Sequence, residues 1–241
     1  KKYFFSAMLG GLLYALFTFH GFKLSSATHG AILLPGLIPL WVSLLALIFL
    51  KVKLATNKIL GLSLIAISIS LMFIQEMQSA IHLALGEPSL VMGDIYFVLG
   101  ALCWAGYSIL LNKWHISPWQ ATISLAFYTS LIYLPVYLLF IPKNIMAASM
   151  QDIALQMFYQ GFLASIVQML FYVQAVKLIG AQSMGAFMAL VPVIAGMAGV
   201  LFLDEAHSMV LWLCLVFVSV GVWLANKNSA AKIEILNTQK E

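Results

Sequence analysis

Eight apolar runs, each about as long as a bilayer is thick, set the terms on which this chain can fold. They cover residues 3–22, 27–50, 57–74, 95–111, 122–141, 153–176, 183–203 and 209–225. A hydrocarbon core ~30 Å thick needs ~20 apolar residues of helix to cross it. Lipid offers no partner to an unpaired backbone group, so open sheets are excluded, and the residue alternation of a membrane barrel is absent. The expected fold is an all-α polytopic membrane protein. With 63% hydrophobic and 8% charged residues and a mean hydropathy of +1.02, a water-facing globule is ruled out.

Charge orients the spans. There is no arginine, and the 12 basic residues are all lysine. If the loops alternate across the bilayer from cytoplasmic Lys1 and Lys2, then Lys51, Lys53, Lys58, Lys113, Lys177, Lys227, Lys232 and Lys240 share their side. Only Lys23 and Lys143 fall outside. Ten lysines against two is the bias expected of cytoplasmic loops. The acids mostly go the other way: Glu76, Glu87, Asp94, Asp152, Asp204 and Glu205 are outside, Glu234 and Glu241 inside. The C-terminus is then cytoplasmic, and the expected location is the inner (plasma) membrane. The net charge of +4 sits at span ends, which makes it a signal of topology and not of nucleic-acid binding. Cys103 and Cys214 lie within spans, where free cysteine behaves as a small apolar residue.

The runs are related to one another. Residues 177–205 reproduce much of 23–50: each opens on Lys-Leu, carries an alanine and then a proline, and runs on apolar, the second copy to an acidic end at Asp204-Glu205. At an offset of 154 residues, Phe4, Leu9, Leu16, Phe17, Lys23, Leu24 and Ala27 match Phe158, Leu163, Leu170, Phe171, Lys177, Leu178 and Ala181. After a one-residue shift in spacing, Pro39 matches Pro192, and at an offset of 151 Leu60, Leu62, Leu64 and Ser68 match Leu211, Leu213, Leu215 and Ser219. Five spans in the second copy place it upside down relative to the first, an inverted repeat of the kind transporters use. The lysines agree, since Lys23 falls outside and its counterpart Lys177 inside.

This comparison divides the chain into residues 1–75, the last three helices of a first repeat; 76–93, an external linker; 94–227, a complete five-helix second repeat; and 228–241, a cytoplasmic tail. Three spans against five, and a start on Lys-Lys without methionine, lead to the expectation that two helices precede this chain and that the full-length protein has ten. Asp94 is read as the N-cap of the span that follows it.

The second copy carries Gly93-Asp94 ahead of Ala101, Trp104, Ala105 and Tyr107, then Ala175-Val-Lys177-Leu, Ala181, Pro192 and the closing Leu203-Asp-Glu205. Together these resemble an EamA-type domain of the drug/metabolite transporter superfamily. The resemblance covers the second copy and, more weakly, residues 3–74. It implies ten helices in two inverted five-helix repeats around a central substrate cavity. In this chain Asp204-Glu205 stands where members often show glycine-glutamate.

No charged side chain lies in the middle of a span, so a buried acid, the simplest proton or cation site, is not expected. Neutral polar and aromatic groups remain. Tyr14 and Thr18 stand four residues apart beside His20, while Gln160, Gln168 and Tyr172 lie on one face of the sixth span. The 154 offset maps Tyr14 onto Gln168 and Thr18 onto Tyr172, as two walls of one cavity would be. Trp104, Tyr107 and Ser108 form a similar face of the fourth span, suited to an amphipathic organic solute. The remaining histidines, His29 among them, lie in loops or at span ends and are assigned no chemistry. Pro35, Pro39 and Pro192 each remove a helical hydrogen bond and are read as kinks.

The leading reading is an inner-membrane secondary transporter, an exporter or exchanger of small organic metabolites such as amino acids, working by alternating access. The substrate class comes from the resemblance alone. The alternative is a non-transporting multi-span scaffold or partner subunit. There are no paired acids within a span, no histidines at metal-binding spacing and no phosphate-binding glycine loop, so neither an enzyme nor a metal or other cofactor is expected. The expected partners are a small-molecule solute and the lipid bilayer, with no nucleic acid; a homodimer is compatible with this reading.

Overall fold

The computed structural model describes residues 1–50, 54–82, 90–140, 148–168, 171, 174, 178, 187, 189–203 and 208–226. Among them there is no strand. The helices are α1 (Lys2–Leu24) and α2 (Ala27–Phe49), α3 (Thr56–His82), α4 (Leu90–Lys113) and α5 (Pro118–Phe140). They continue with α6 (Met150–Gln156, extended by a π-helical stretch Met157–Val167), α7 (Val191–Leu203) and α8 (Met209–Asn226). Six of these, α1 to α5 and α8, are long and apolar enough to cross a membrane. This is the all-α polytopic architecture expected of the apolar runs.

Helix α2 is central, packing against α3, α4, α7 and α8. Its Ile32, Leu33 and Leu37 join Ile65, Ile69 and Met72 of α3, Phe97 of α4, and Leu211, Leu215 and Val218 of α8 in one buried cluster. The opposite extreme is α5, of whose most apolar window only 6% is buried. Apolar side chains on nearly all its faces suit a helix that meets lipid on most of its surface.

Two antiparallel seams hold the bundle. In the first, α3 lies along α8: Ser68 meets Cys214 and, seven residues back on one helix and seven forward on the other, Gly61 meets Gly221. The Ser68 hydroxyl donates to the Cys214 carbonyl at 2.9 Å, and the Cys214 thiol donates to the Ser68 carbonyl at 3.2 Å. At the end of this seam the Gln75 amide bonds the hydroxyl of Ser208, Nε2 to Oγ 2.7 Å, and that hydroxyl also accepts from the Leu211 amide in the first turn of α8. In the second seam, α1 lies along α4, with Gly10 under Tyr107, Gly21 under Phe97, Thr18 against Gly100 and Ser25 against Gly93. Lipid supplies no hydrophobic drive between helices, so small residues that admit a large neighbour or a second backbone do the joining.

Two features depart from the sequence reading. The polar stretch 76–93, read as an external linker, is helical to His82 and again from Leu90, because Gln, Glu, Met and Ala are good helix formers and polarity alone does not end a helix. Asp94 therefore stands inside α4 and is not its N-cap. Pro192 sits in the first turn of α7, after a turn at Ala189 and Leu190 closed by the Leu190 amide donating to Phe187 at 3.0 Å. There its missing N–H falls among the donors that a helix start leaves unpaired. Pro35 and Pro39, by contrast, lie inside a continuous α2.

A Cβ at position 61 would stand 2.5 Å from the Gly221 carbonyl oxygen and 2.6 Å from the Ala225 nitrogen, both backbone atoms that cannot swing away. Gly61→Val is therefore expected to cost at least the ~1–3 kcal/mol of an overpacked core, read as a lowered thermal-unfolding midpoint in detergent. Gly161, with nothing within 4 Å of its added Cβ, is the control: Gly161→Ala should leave the midpoint unchanged or raise it, the gain in stability being at most ~1 kcal/mol.

Candidate functional site

Aromatic side chains gather where α1 meets α4. The rings of Tyr14 and Trp104 lie 4.7 Å apart at 51°, and Trp104 is 5.4 Å from Tyr107. Tyr107 is buried because Gly10 leaves room for its ring: a Cβ there would fall 2.5 Å from it. Thr18, one turn beyond Tyr14, is buried against Gly100. Four of the residues singled out in the sequence thus share one seam. Two others turn to their own helix: the Ser108 hydroxyl donates to the Trp104 carbonyl at 2.9 Å, and His20 Nδ1 lies 2.7 Å from the Leu16 carbonyl with its ring beside Tyr96.

Among the described residues, Gln160 and Gln168 are exposed on α6 and its π-helical extension, and no contact between them and the first wall is described. Tyr172 lies outside the described residues. Among the described residues, one apolar cavity of about 400 Å³ is lined by Leu37, Trp41, Ser43 and Leu62 with their neighbours. Another, of about 300 Å³, is lined by Tyr3, Gln120, Ser124 and Tyr128. Neither borders the Tyr14–Trp104 pair.

The group that sequence reasoning missed is a buried acid. Asp94 is wholly buried and His29 is 2% exposed. His29 Nδ1 lies 3.0 Å from each oxygen of the Asp94 carboxylate, and the Ser25 hydroxyl donates to Oδ1 at 2.7 Å. Local structure sets this up: Ser26 caps α2 by accepting the His29 amide at 3.1 Å, which fixes His29 in the first turn. Gly93 lets α4 touch Ser25, its added Cβ falling 2.5 Å from that of Ser25. A carboxylate out of contact with water persists only when paired and hydrogen-bonded, and here it is both. The clue in the sequence was depth. The lysine topology puts the start of α2 and the start of α4 on the same side of the bilayer, so His29 and Asp94 stand at one level. Among the described residues no group of three or more His, Cys, Asp or Glu could hold a metal ion.

Set beside known families, residues 91–227 match the profile of the EamA-like transporter family, a stretch that takes in Asp94, Trp104, Tyr107, all of α4 but Leu90, and α5 to α8. The chain belongs to the EamA-like transporter family. It is also 30% identical, over 187 residues, to the "Uncharacterized transporter YyaM" of Bacillus subtilis (strain 168), an alignment covering 75% of this chain and 58% of that protein. The EamA chain thus spans a little over half the length of the relative it matches. The resemblance read from Gly93-Asp94, Trp104 and Tyr107 is the family that the profile finds. Those same residues hold the α1–α4 seam, so the matched half of the chain supplies one side of the candidate site and α1 and α2 the other.

Removing one partner of a buried pair leaves the other charge without compensation. Asp94→Ala is expected to lower stability by about 3–5 kcal/mol, whereas Ser25→Ala, which deletes one hydrogen bond to a carboxylate that keeps His29, should cost about 1.5–3 kcal/mol. Thermal unfolding of both variants in detergent checks the order.

Proposed function

We propose that this EamA-family chain works as an inner-membrane secondary transporter that exports or exchanges small organic metabolites, such as amino acids or related compounds. The observation that carries the reading is the α1–α4 seam, in which Tyr14, Trp104 and Tyr107 bring amphipathic rings together between two apolar helices. Aromatic groups with a polar tip give an organic solute both a flat apolar surface and a hydrogen-bond partner. Family membership and the name of the Bacillus subtilis relative support transport as the activity, and the substrate class rests on the family resemblance.

Alternating access of two inverted repeats is the mechanism we propose. In its favour, α3 and α8, the two helices matched at an offset of 151, run antiparallel along each other. Helices related by a pseudo-two-fold axis in the membrane plane would meet in this way. Gln160, Gln168 and Tyr172 remain the proposed second wall, contributed by the sixth span when it closes on the first.

One observation favours the scaffold reading instead: the aromatic seam is in packed contact and the two cavities described lie elsewhere. Reconstitution separates the two. Vesicles carrying the protein should show saturable uptake or counterflow of at least one solute from a metabolite panel, and Trp104→Ala or Tyr14→Ala should reduce it about tenfold or more, the loss of one good contact in the transport step being worth ~1.4 kcal/mol or above. A panel with no solute moved above empty vesicles would favour the scaffold.

A further inference from the structure

We infer that the groove between α2 and α3 binds one membrane phospholipid with an anionic headgroup, a site separate from the aromatic seam. The groove is the apolar cavity of about 400 Å³ whose walls include Leu37, Leu40, Trp41, Ser43 and Leu62. Leu44 and Leu47 also line it and are exposed, so it opens on the surface of the bundle and is not sealed inside the core.

Two donors in the wall point to a ligand. Ser43 is 1% exposed, and neither its hydroxyl nor the Trp41 indole N–H has a hydrogen-bond partner among the described residues. Buried groups of this kind ordinarily find an acceptor, and an apolar cavity does not hold water to serve as one. The leucines around them offer none. Rotation about a single side-chain bond turns a serine hydroxyl from helix to groove. The acceptor then belongs to a molecule that is otherwise as apolar as leucine.

A cation stands at the same level. Gly36 of α2 lies against Ile65 of α3, its added Cβ falling 3.2 Å from that side chain. Consecutive helices joined by a short segment run antiparallel, so seven residues toward that segment on each helix bring Ser43 level with Lys58. Lys58 falls on the helical stripe of Leu62 and Ile65 and is half-buried. Among the described residues no acid pairs with it. The joining segment adds Lys51 and Lys53 to this end and no acid. A lysine stem follows an apolar wall while its ammonium reaches out to the interface, and basic groups between spans hold anionic headgroups there.

One kind of molecule meets all three demands. Its acyl chain lies along the leucines, its glycerol ester carbonyls accept from Ser43 and Trp41, and its phosphate, outward of the esters, meets Lys58. A zwitterionic lipid has the same chain and esters, but its own cation offsets the charge that Lys58 attracts. Free phosphate offers nothing to the leucines, and a plain hydrocarbon offers nothing to the donors.

Two measurements test this, and neither needs a transported solute. Native mass spectrometry of the protein released from nanodiscs of phosphatidylcholine mixed with phosphatidylglycerol counts retained lipids. The wild type should keep one phosphatidylglycerol in preference to phosphatidylcholine. Lys58→Gln should weaken that retention about fivefold, the effect of one lysine near a membrane surface, and Ser43→Ala about threefold, the effect of one hydrogen bond. The second measurement is fluorescence quenching by lipids brominated on the acyl chain, with Trp41→Phe subtracted to isolate Trp41. Brominated phosphatidylglycerol should quench Trp41 more than brominated phosphatidylcholine does, and this holds the test if Lys58→Gln does not fold. Equal retention of the two lipids, retention unchanged in Lys58→Gln, or equal quenching by the two overturns the inference. So does a disulfide formed between copies of Leu47→Cys in lipid-free protein, which would put a second copy of the chain on the groove.

Discussion

Two apolar helices in hydrocarbon gain nothing hydrophobic by touching, because lipid tails are as apolar as their side chains. What remains is closeness, and this bundle depends on it. Gly61 and Gly221 let the backbones of α3 and α8 approach until a Cβ would collide with a carbonyl, and that approach brings Ser68 and Cys214 near enough to exchange hydrogen bonds with each other's backbone. Gly10 and Gly21 do the same for α1 against α4, each admitting an aromatic ring of α4. Small residues thus decide both where the helices meet and which large side chains are held at the contact. The aromatic seam proposed for solute binding is a consequence of the packing and not an addition to it.

The buried pair follows from the same closeness. Gly93 places α4 against Ser25, and only then can Asp94 reach both Ser25 and His29. In water an aspartate and a histidine near helix starts would be ordinary surface groups, the acid stabilising its helix by about 0.3–1 kcal/mol and a charged imidazole opposing it. Enclosed between α2 and α4, they depend on each other, since neither can be charged alone without a large desolvation cost. That dependence gives a fold otherwise built from neutral contacts a point where its electrostatics and its helix packing are one problem.

Much of the architecture was legible in the sequence because membrane physics is strict. Span length is set by bilayer thickness and helix formation by the lack of backbone partners in lipid, so among the described residues six helices long and apolar enough to cross a membrane stand on apolar runs. The family was legible from Gly93-Asp94, Trp104 and Tyr107. Within the site, Tyr14, Thr18, Trp104 and Tyr107 could be named because helical spacing shows which residues share a face. Helical spacing does not say which helix that face meets, and so Ser108 and His20 bonding back to their own helices was not foreseen. Nor was the Asp94–His29 contact. An acid after a glycine at a span start reads as a cap, and only continuation of α4 back to Leu90 moves it into the helix.

The sequence alone determined that this is a multi-span helical membrane protein and that it resembles EamA-type transporters. These follow from composition, run length and residue order, which are properties of residues counted along the chain. Tertiary structure alone decided that α1 lies along α4 and α3 along α8, that Pro192 sits in the first turn of α7, and that Asp94 is buried beside His29. Those outcomes depend on which small residue faces which large one across a seam. In a bilayer, where every apolar face is equally content with lipid, that choice is made by shape complementarity between helices far apart in sequence.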